Sequence, residues 1–110
     1  MQTIGIVLNI AADRVDEFER GFRDAELPIW EDLRAGGLLL SATLSRLDIS
    51  TKREGEAVQY LVAVVFADDR GHHAHDGDPR FEAWNRRADA FQVAEPHVYG
   101  GDTIVSVGAG

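Results

Sequence analysis

Val58-Gln59-Tyr60-Leu61-Val62-Ala63-Val64-Val65-Phe66-Ala67 is the most strand-prone run of the sequence, a stretch of β-branched, aromatic and aliphatic side chains without a charge. In an extended chain, successive side chains point to opposite sides. Val58, Tyr60, Val62, Val64 and Phe66 therefore form one face, and Gln59, Leu61, Ala63, Val65 and Ala67 form the other. Both faces are largely apolar. An antiparallel sheet with one face in water alternates apolar with polar residues, so this strand calls for cover on both sides.

Upstream, Ser50-Thr51-Lys52-Arg53-Glu54-Gly55-Glu56 is polar and turn-like, and residues 38–49 read as another strand. Before that, Val15, Phe18, Phe22, Ala25 and Ile29 recur every three or four residues, the stripe of an amphipathic helix. Asp13 is its expected N-cap, and Gly36-Gly37 its end. Pro28 lacks an amide hydrogen and crowds the preceding turn, so the helix is expected to kink or restart there. Residues 3–10 form a first strand, with Ile4, Ile6, Leu8 and Ile10 facing the helices and Thr3, Gly5, Val7 and Asn9 facing away. Downstream, a His-rich loop is expected to lead to Asp78-Pro79, an N-cap followed by proline at the first helical position. Phe81, Trp84, Ala88 and Phe91 then follow at helical spacing. Pro96 is expected to break the chain, and residues 97–107 to form a last strand bent by a bulge at Gly100-Gly101.

The order β-α-β-β-α-β predicts an α+β, ferredoxin-like fold: an antiparallel four-stranded sheet with two helices on one face. One domain spanning 1–110 suits the length. Because two helices cover one face only, a second copy of the chain is the simplest cover for the other, two-fold homodimers being the commonest assemblies. The expectation is a pair of sheets packed face to face, a dimeric α/β barrel.

Composition narrows the function. The chain carries 11 basic and 19 acidic residues, a formal charge of −8, so no positive field draws it to nucleic acid or to an anionic membrane surface. It has no cysteine, which excludes disulfides, thiolate catalysis and cysteine-ligated metal. No signal-like or membrane-length apolar segment is evident, and a cytoplasmic location is expected. No phosphate loop, GxSxG elbow or HExxH helix is present.

With this element order on the page, the chain resembles the dimeric α+β barrel superfamily. Within it, Ala74-His75-Asp76-Gly77-Asp78-Pro79-Arg80-Phe81-Glu82-Ala83-Trp84 is similar to the approach to the second helix in antibiotic biosynthesis monooxygenase-like members. EthD-like and muconolactone isomerase-like proteins share the architecture. The resemblance implies an oxidoreductase without cofactor, whose cavity is lined by an Asn of the first strand and a Trp of the second helix. Here those residues are Asn9 and Trp84. Haem-degrading relatives carry a His about one helical stretch after that Trp; this sequence has Ala94 there, with His97 the only stand-in, and no haem or other cofactor is expected.

The residues themselves offer further candidates. Asn9 has an amide able to bind a substrate carbonyl or enolate oxygen. Trp84 and Phe81 can pack against an aromatic ring. His97 and Tyr99 share a strand face and can move protons. His72, His73 and His75, beside Asp76 and Asp78, are candidate substrate-binding residues and a tract of potential metal ligands. A helix cap at Asp78 and a solvated loop account for that tract without metal, and no metal site is expected. The reading is a homodimeric, cofactor-independent monooxygenase-like protein acting on a small apolar or aromatic, polyketide-type molecule. The alternatives are a non-catalytic ligand-binding or stress-response barrel, or an EthD-like or isomerase-like enzyme with His acid–base chemistry.

Overall fold

In a computed structural model that describes residues 1–108, the chain runs β1 (Gln2–Ile10), α1 (Val15–Ala35), β2 (Leu39–Arg46), β3 (Val58–Phe66), α2 (Asp69–Asp76), α3 (Pro79–Ala88) and β4 (Gln92–Asp102). Residues 109 and 110 of the expected domain lie outside the described residues. All pairings are antiparallel, and the sheet order is β2-β3-β1-β4. This is the ferredoxin-like arrangement, with the most apolar strand inside the sheet.

β3 divides its side chains as its alternation requires. Tyr60, Val62, Val64 and Phe66 are buried beneath the helices together with Ile4, Phe18, Phe22, Trp30, Trp84 and Phe91. The aromatic rings form the centre of this layer: Phe18 lies 4.8 Å from Tyr60 and Phe22 lies 5.2 Å from Trp30, ring centre to ring centre. Tyr60 donates a 2.5 Å hydrogen bond to Glu19 on α1, and Arg46 on β2 pairs with the same carboxylate. Burial, then the hydrogen bond to Glu19, push the Tyr60 hydroxyl up to about 12, so it remains a neutral donor. On the other face, Val7, Leu61, Ala63 and Val65 carry no helix and are half-buried. Asn9 and Gln59, paired across β1 and β3, are fully covered there. The Gln59 amide donates to Asn9 Oδ1 at 2.8 Å and to the Lys52 carbonyl at 2.9 Å, which ties the 47–57 connection over this end of the sheet.

Several local expectations are corrected. α1 does not restart at Pro28 but continues as one helix, because Phe18, Phe22, Glu26, Ile29 and Trp30, on both sides of the proline, share one buried stripe whose packing outweighs the local penalty. Its first turn is preceded by a 3₁₀ turn over Ala12–Arg14, so Asp13 stands in that turn rather than capping α1. Its far end matches the reading: Gly37 adopts φ +77°, and the amides of Leu38 and Gly37 return to the carbonyls of Leu33 and Arg34. The His-rich segment is a helix, not a loop, capped by the Asp68 side chain on the Arg70 amide. Asp78 caps α3 on the Arg80 amide, with Pro79 at its start, as read.

The last strand begins at Gln92 and runs through Pro96. β4 pairs with β1 alone, so a residue without an amide hydrogen is tolerated on this edge. The irregularity lies where the register passes from Val7–His97 to Asn9–Ala94, leaving Glu95 and Pro96 to bulge, and shifts again to Ile10–Gln92. Gly100 and Gly101 pair regularly with Ile4 and Thr3.

α1 and α3 meet where Gly21 faces Trp84: a Cβ on Gly21 would stand 2.5 Å from Cζ3 of that ring. Alanine is the better helix former by about 1 kcal/mol, yet overpacking a well-filled contact costs roughly 1–3 kcal/mol. Gly21→Ala is therefore expected to lower the urea midpoint and disturb Trp84 fluorescence, whereas a raised midpoint would contradict the close contact.

Candidate functional site

Between the sheet and the helices lies a cavity of about 970 Å³. Its floor is the helix-side face of β1 and β3, with Ile4, Ile6, Leu8, Val62 and Val64. α1 contributes Phe18, Phe22, Glu26 and Trp30, α3 contributes Phe81, Trp84, Asn85 and Ala88, and the bulged edge of β4 forms a further side. Its volume falls in the range of small-molecule sites, and its walls are mostly apolar with a few convergent polar groups.

The polar groups gather where α2 meets α1. His72, His75 and Asp76 of α2 reach the cavity. His75, 12% exposed, directs Nε2 at Glu26 Oε1 and Nδ1 at Asp76 Oδ1, the latter at 2.9 Å. Its ring also packs 4.3 Å from Phe81. Burial opposes charge on this imidazole, but the hydrogen bond and charge of Glu26, joined by Asp76, overcome it and raise its pKa above the ordinary 6.5. With an acceptor at each ring nitrogen, the imidazolium is the form this geometry suits. Glu26 is 5% exposed, and its second oxygen, Oε2, is buried without a partner among the described residues. Asp76 also receives His72 Nε2 at 2.9 Å.

The expected residues divide between two places. Trp84, Phe81, His72 and His75 line the cavity together. His73 is exposed on α2 and does not line it. Asn9 lies on the opposite sheet face, bonded to Gln59, so it does not share a cavity with Trp84. His97 and Tyr99 stand opposite Val7 and Gly5 on that same outer face, although Tyr99 also borders the cavity. Among the described residues, no group of three or more His, Asp or Glu side chains is placed to hold a metal ion. Nor, among them, is any helix long and apolar enough to cross a membrane.

Glu26 was not singled out in the sequence, yet a signal for it existed. It follows Phe22 by four residues and precedes Trp30 by four, a carboxylate in phase with an aromatic stripe.

The raised pKa fixes the direction of a pH effect. A group whose folded pKa exceeds its unfolded one stabilises fully below the unfolded value and loses that contribution as pH rises through the folded value. The stability advantage of wild type over Glu26→Gln, measured by urea unfolding, is thus expected to be greatest below pH 6.5 and to shrink above it. An advantage that grows with pH would contradict the pairing.

No protein-family model matches the chain, and no curated protein matches it. Solved structures do, along nearly its whole length. A Nitrosomonas europaea protein named for the antibiotic biosynthesis monooxygenases superposes with a TM-score of 0.75 at 8% identity, over 96% of this chain and 100% of its own. A Caulobacter crescentus protein of the same naming gives 0.73 at 21%, over 94% and 90%. HapK from Hahella chejuensis gives 0.71 at 17%, over 100% and 99%. At such identities the likeness is one of fold: the chain has the α+β ferredoxin-like fold of the antibiotic biosynthesis monooxygenase-type structures.

Proposed function

We propose that this chain is a small cofactor-independent monooxygenase-type oxidoreductase, working as a homodimer in the cytoplasm on an aromatic or polyketide-type molecule. The observation that carries this reading is the cavity, where Trp84, Phe81 and Trp30 offer ring surfaces beside a buried His75–Glu26 pair. The names of the structural neighbours support the reaction class. In such a reaction the substrate supplies its own electrons: a CH₂ group activated by neighbouring rings or carbonyls loses a proton, and the resulting carbanion or enolate reduces O₂. One oxygen atom ends in the new carbonyl and the other leaves as water, so R₂CH₂ and O₂ give R₂CO and H₂O. The chain's part is to bind the rings, exclude bulk water and manage the proton at the polar end of the cavity. A His in the cavity also accommodates isomerase-type acid–base chemistry, which would consume no oxygen.

The homodimer is supported by the outer sheet face, where Val7, Leu61, Ala63 and Val65 carry no helix, and by the exposed Ile104, Val105 and Val107 beyond β4. Light scattering is expected to give a dimer that Leu61→Asp converts to monomers; a monomeric wild type would remove this part of the reading. For the chemistry, an oxygen electrode with an anthrone-type substrate is expected to register uptake. Trp84→Phe is expected to weaken substrate binding by about two- to tenfold through the lost ring contact. Tight binding without oxygen uptake would instead make the chain a ligand-sequestering barrel.

A further inference from the structure

The cavity is apolar over most of its surface, and the fully buried side-chain atoms of its lining that lack a partner among the described residues are of one kind. Among the described residues Glu26 Oε2 is buried without a partner, as are the amide oxygens of Gln2 and Gln92 on its floor and edge. All three are acceptors. An unmet buried acceptor loses the hydrogen bonds that water would have given it, a penalty that an occupant carrying donors removes. Glu26 is the strongest of the three. It is a carboxylate, it lines the cavity beside Phe22 and Trp30 of the same helix, and its other oxygen is already committed to His75.

From this placement we infer that Glu26 anchors the occupant of the cavity by accepting a hydrogen bond from a phenolic or enolic hydroxyl, and that the site selects hydroxylated planar aromatics over bare ones. The inference rests on the reading of the cavity as the substrate site and deepens it by naming the group recognised. A neutral hydroxyl fits better than a cation, because the His75 imidazolium already faces this carboxylate and would repel a second positive charge. Asp76 holds the far nitrogen of His75 and keeps the ring turned toward Glu26, which makes His75 and Asp76 positioning residues for the anchor.

The test compares 1-naphthol with 1-methylnaphthalene by titration calorimetry, a pair in which a hydroxyl replaces a methyl of similar size. On apolar burial alone the methyl compound binds more tightly. With a carboxylate acceptor waiting, wild type is expected to prefer the naphthol by about tenfold or more. Glu26→Gln, folded by circular dichroism, is expected to lose most of that preference while still binding the methyl compound. Equal or reversed affinities in wild type would overturn the anchor and leave the cavity reading intact, and this comparison needs no variant. A preference for 1-naphthylmethylammonium over the naphthol would overturn the neutral-hydroxyl assignment. Failure of wild type to bind any of the three would instead remove the cavity reading on which the inference stands.

Discussion

The antiparallel pairing of β1 with β3, unbroken from Gln2–Phe66 to Ile10–Val58, is the constraint on which the rest of the molecule depends. Because residues directly opposite one another share a face, this register puts Ile4, Ile6 and Leu8 level with Val64, Val62 and Tyr60. It creates one continuous apolar floor beneath the helices. A slip by one residue would exchange that floor for Gly5, Val7, Asn9, Gln59, Leu61 and Ala63, and the aromatic layer of α1 and α3 would lose its seat. The floor is wider than the helices cover. α1 and α3 converge at Gly21 and Trp84 but leave Ile6 and Leu8 only half-buried, and that uncovered part of the floor is the cavity.

Within the cavity wall, the His75–Glu26 contact is poorly explained by stability alone. Taking a carboxylate and an imidazolium out of water costs several kcal/mol per ion before their attraction returns anything, and apolar residues of similar volume often do as well or better. α1 could have continued its stripe of Phe18, Phe22, Ile29 and Trp30 with an aliphatic residue at position 26. It carries instead a carboxylate with one oxygen satisfied and one not, next to rings and open volume. Local departures from packing logic of this kind concentrate at functional sites, where a group is held ready for a partner from outside the chain.

The sequence declared these features unequally, for physical reasons. β3, the caps at Asp78 and Gly37, and the stripe of α1 were legible because each rests on local periodicity or on a residue with a narrow conformational role. α2 was not: Asp68-Asp69-Arg70-Gly71 has turn composition, and Gly71 is a poor helix former. In the fold Gly71 is the residue that lets α2 settle, since a Cβ there would stand 2.5 Å from Phe66 and 2.8 Å from the Leu38 carbonyl oxygen. β4 was misplaced because Pro96 acts as a breaker in an interior strand and as a harmless neighbour at an edge, and edge status is a tertiary property. The same holds for the site. Phe81, Trp84 and His75 carried their chemistry in their identities, whereas the joining of Glu26 to His75 depends on where a short, unforeseen helix docks.

The period of two that made β3 stand out also separates two properties of the molecule. Leu61, Ala63 and Val65 look outward to the face that carries no helix, while Val62, Val64 and Phe66 look inward to the cavity. The sheet lies between them, so neighbouring residues in sequence report on different processes. Asn9 belongs to the outward set: with Gln59 it is buried beneath the 47–57 connection at one end of that face, and its Nδ2 and the Gln59 Oε1 have no partner among the described residues. The amide that resembles a cavity residue in sequence is thus, by its register, held on the far side of the sheet beneath the 47–57 connection, and the paired polar groups of the cavity, Glu26 and His75, come from α1 and α2.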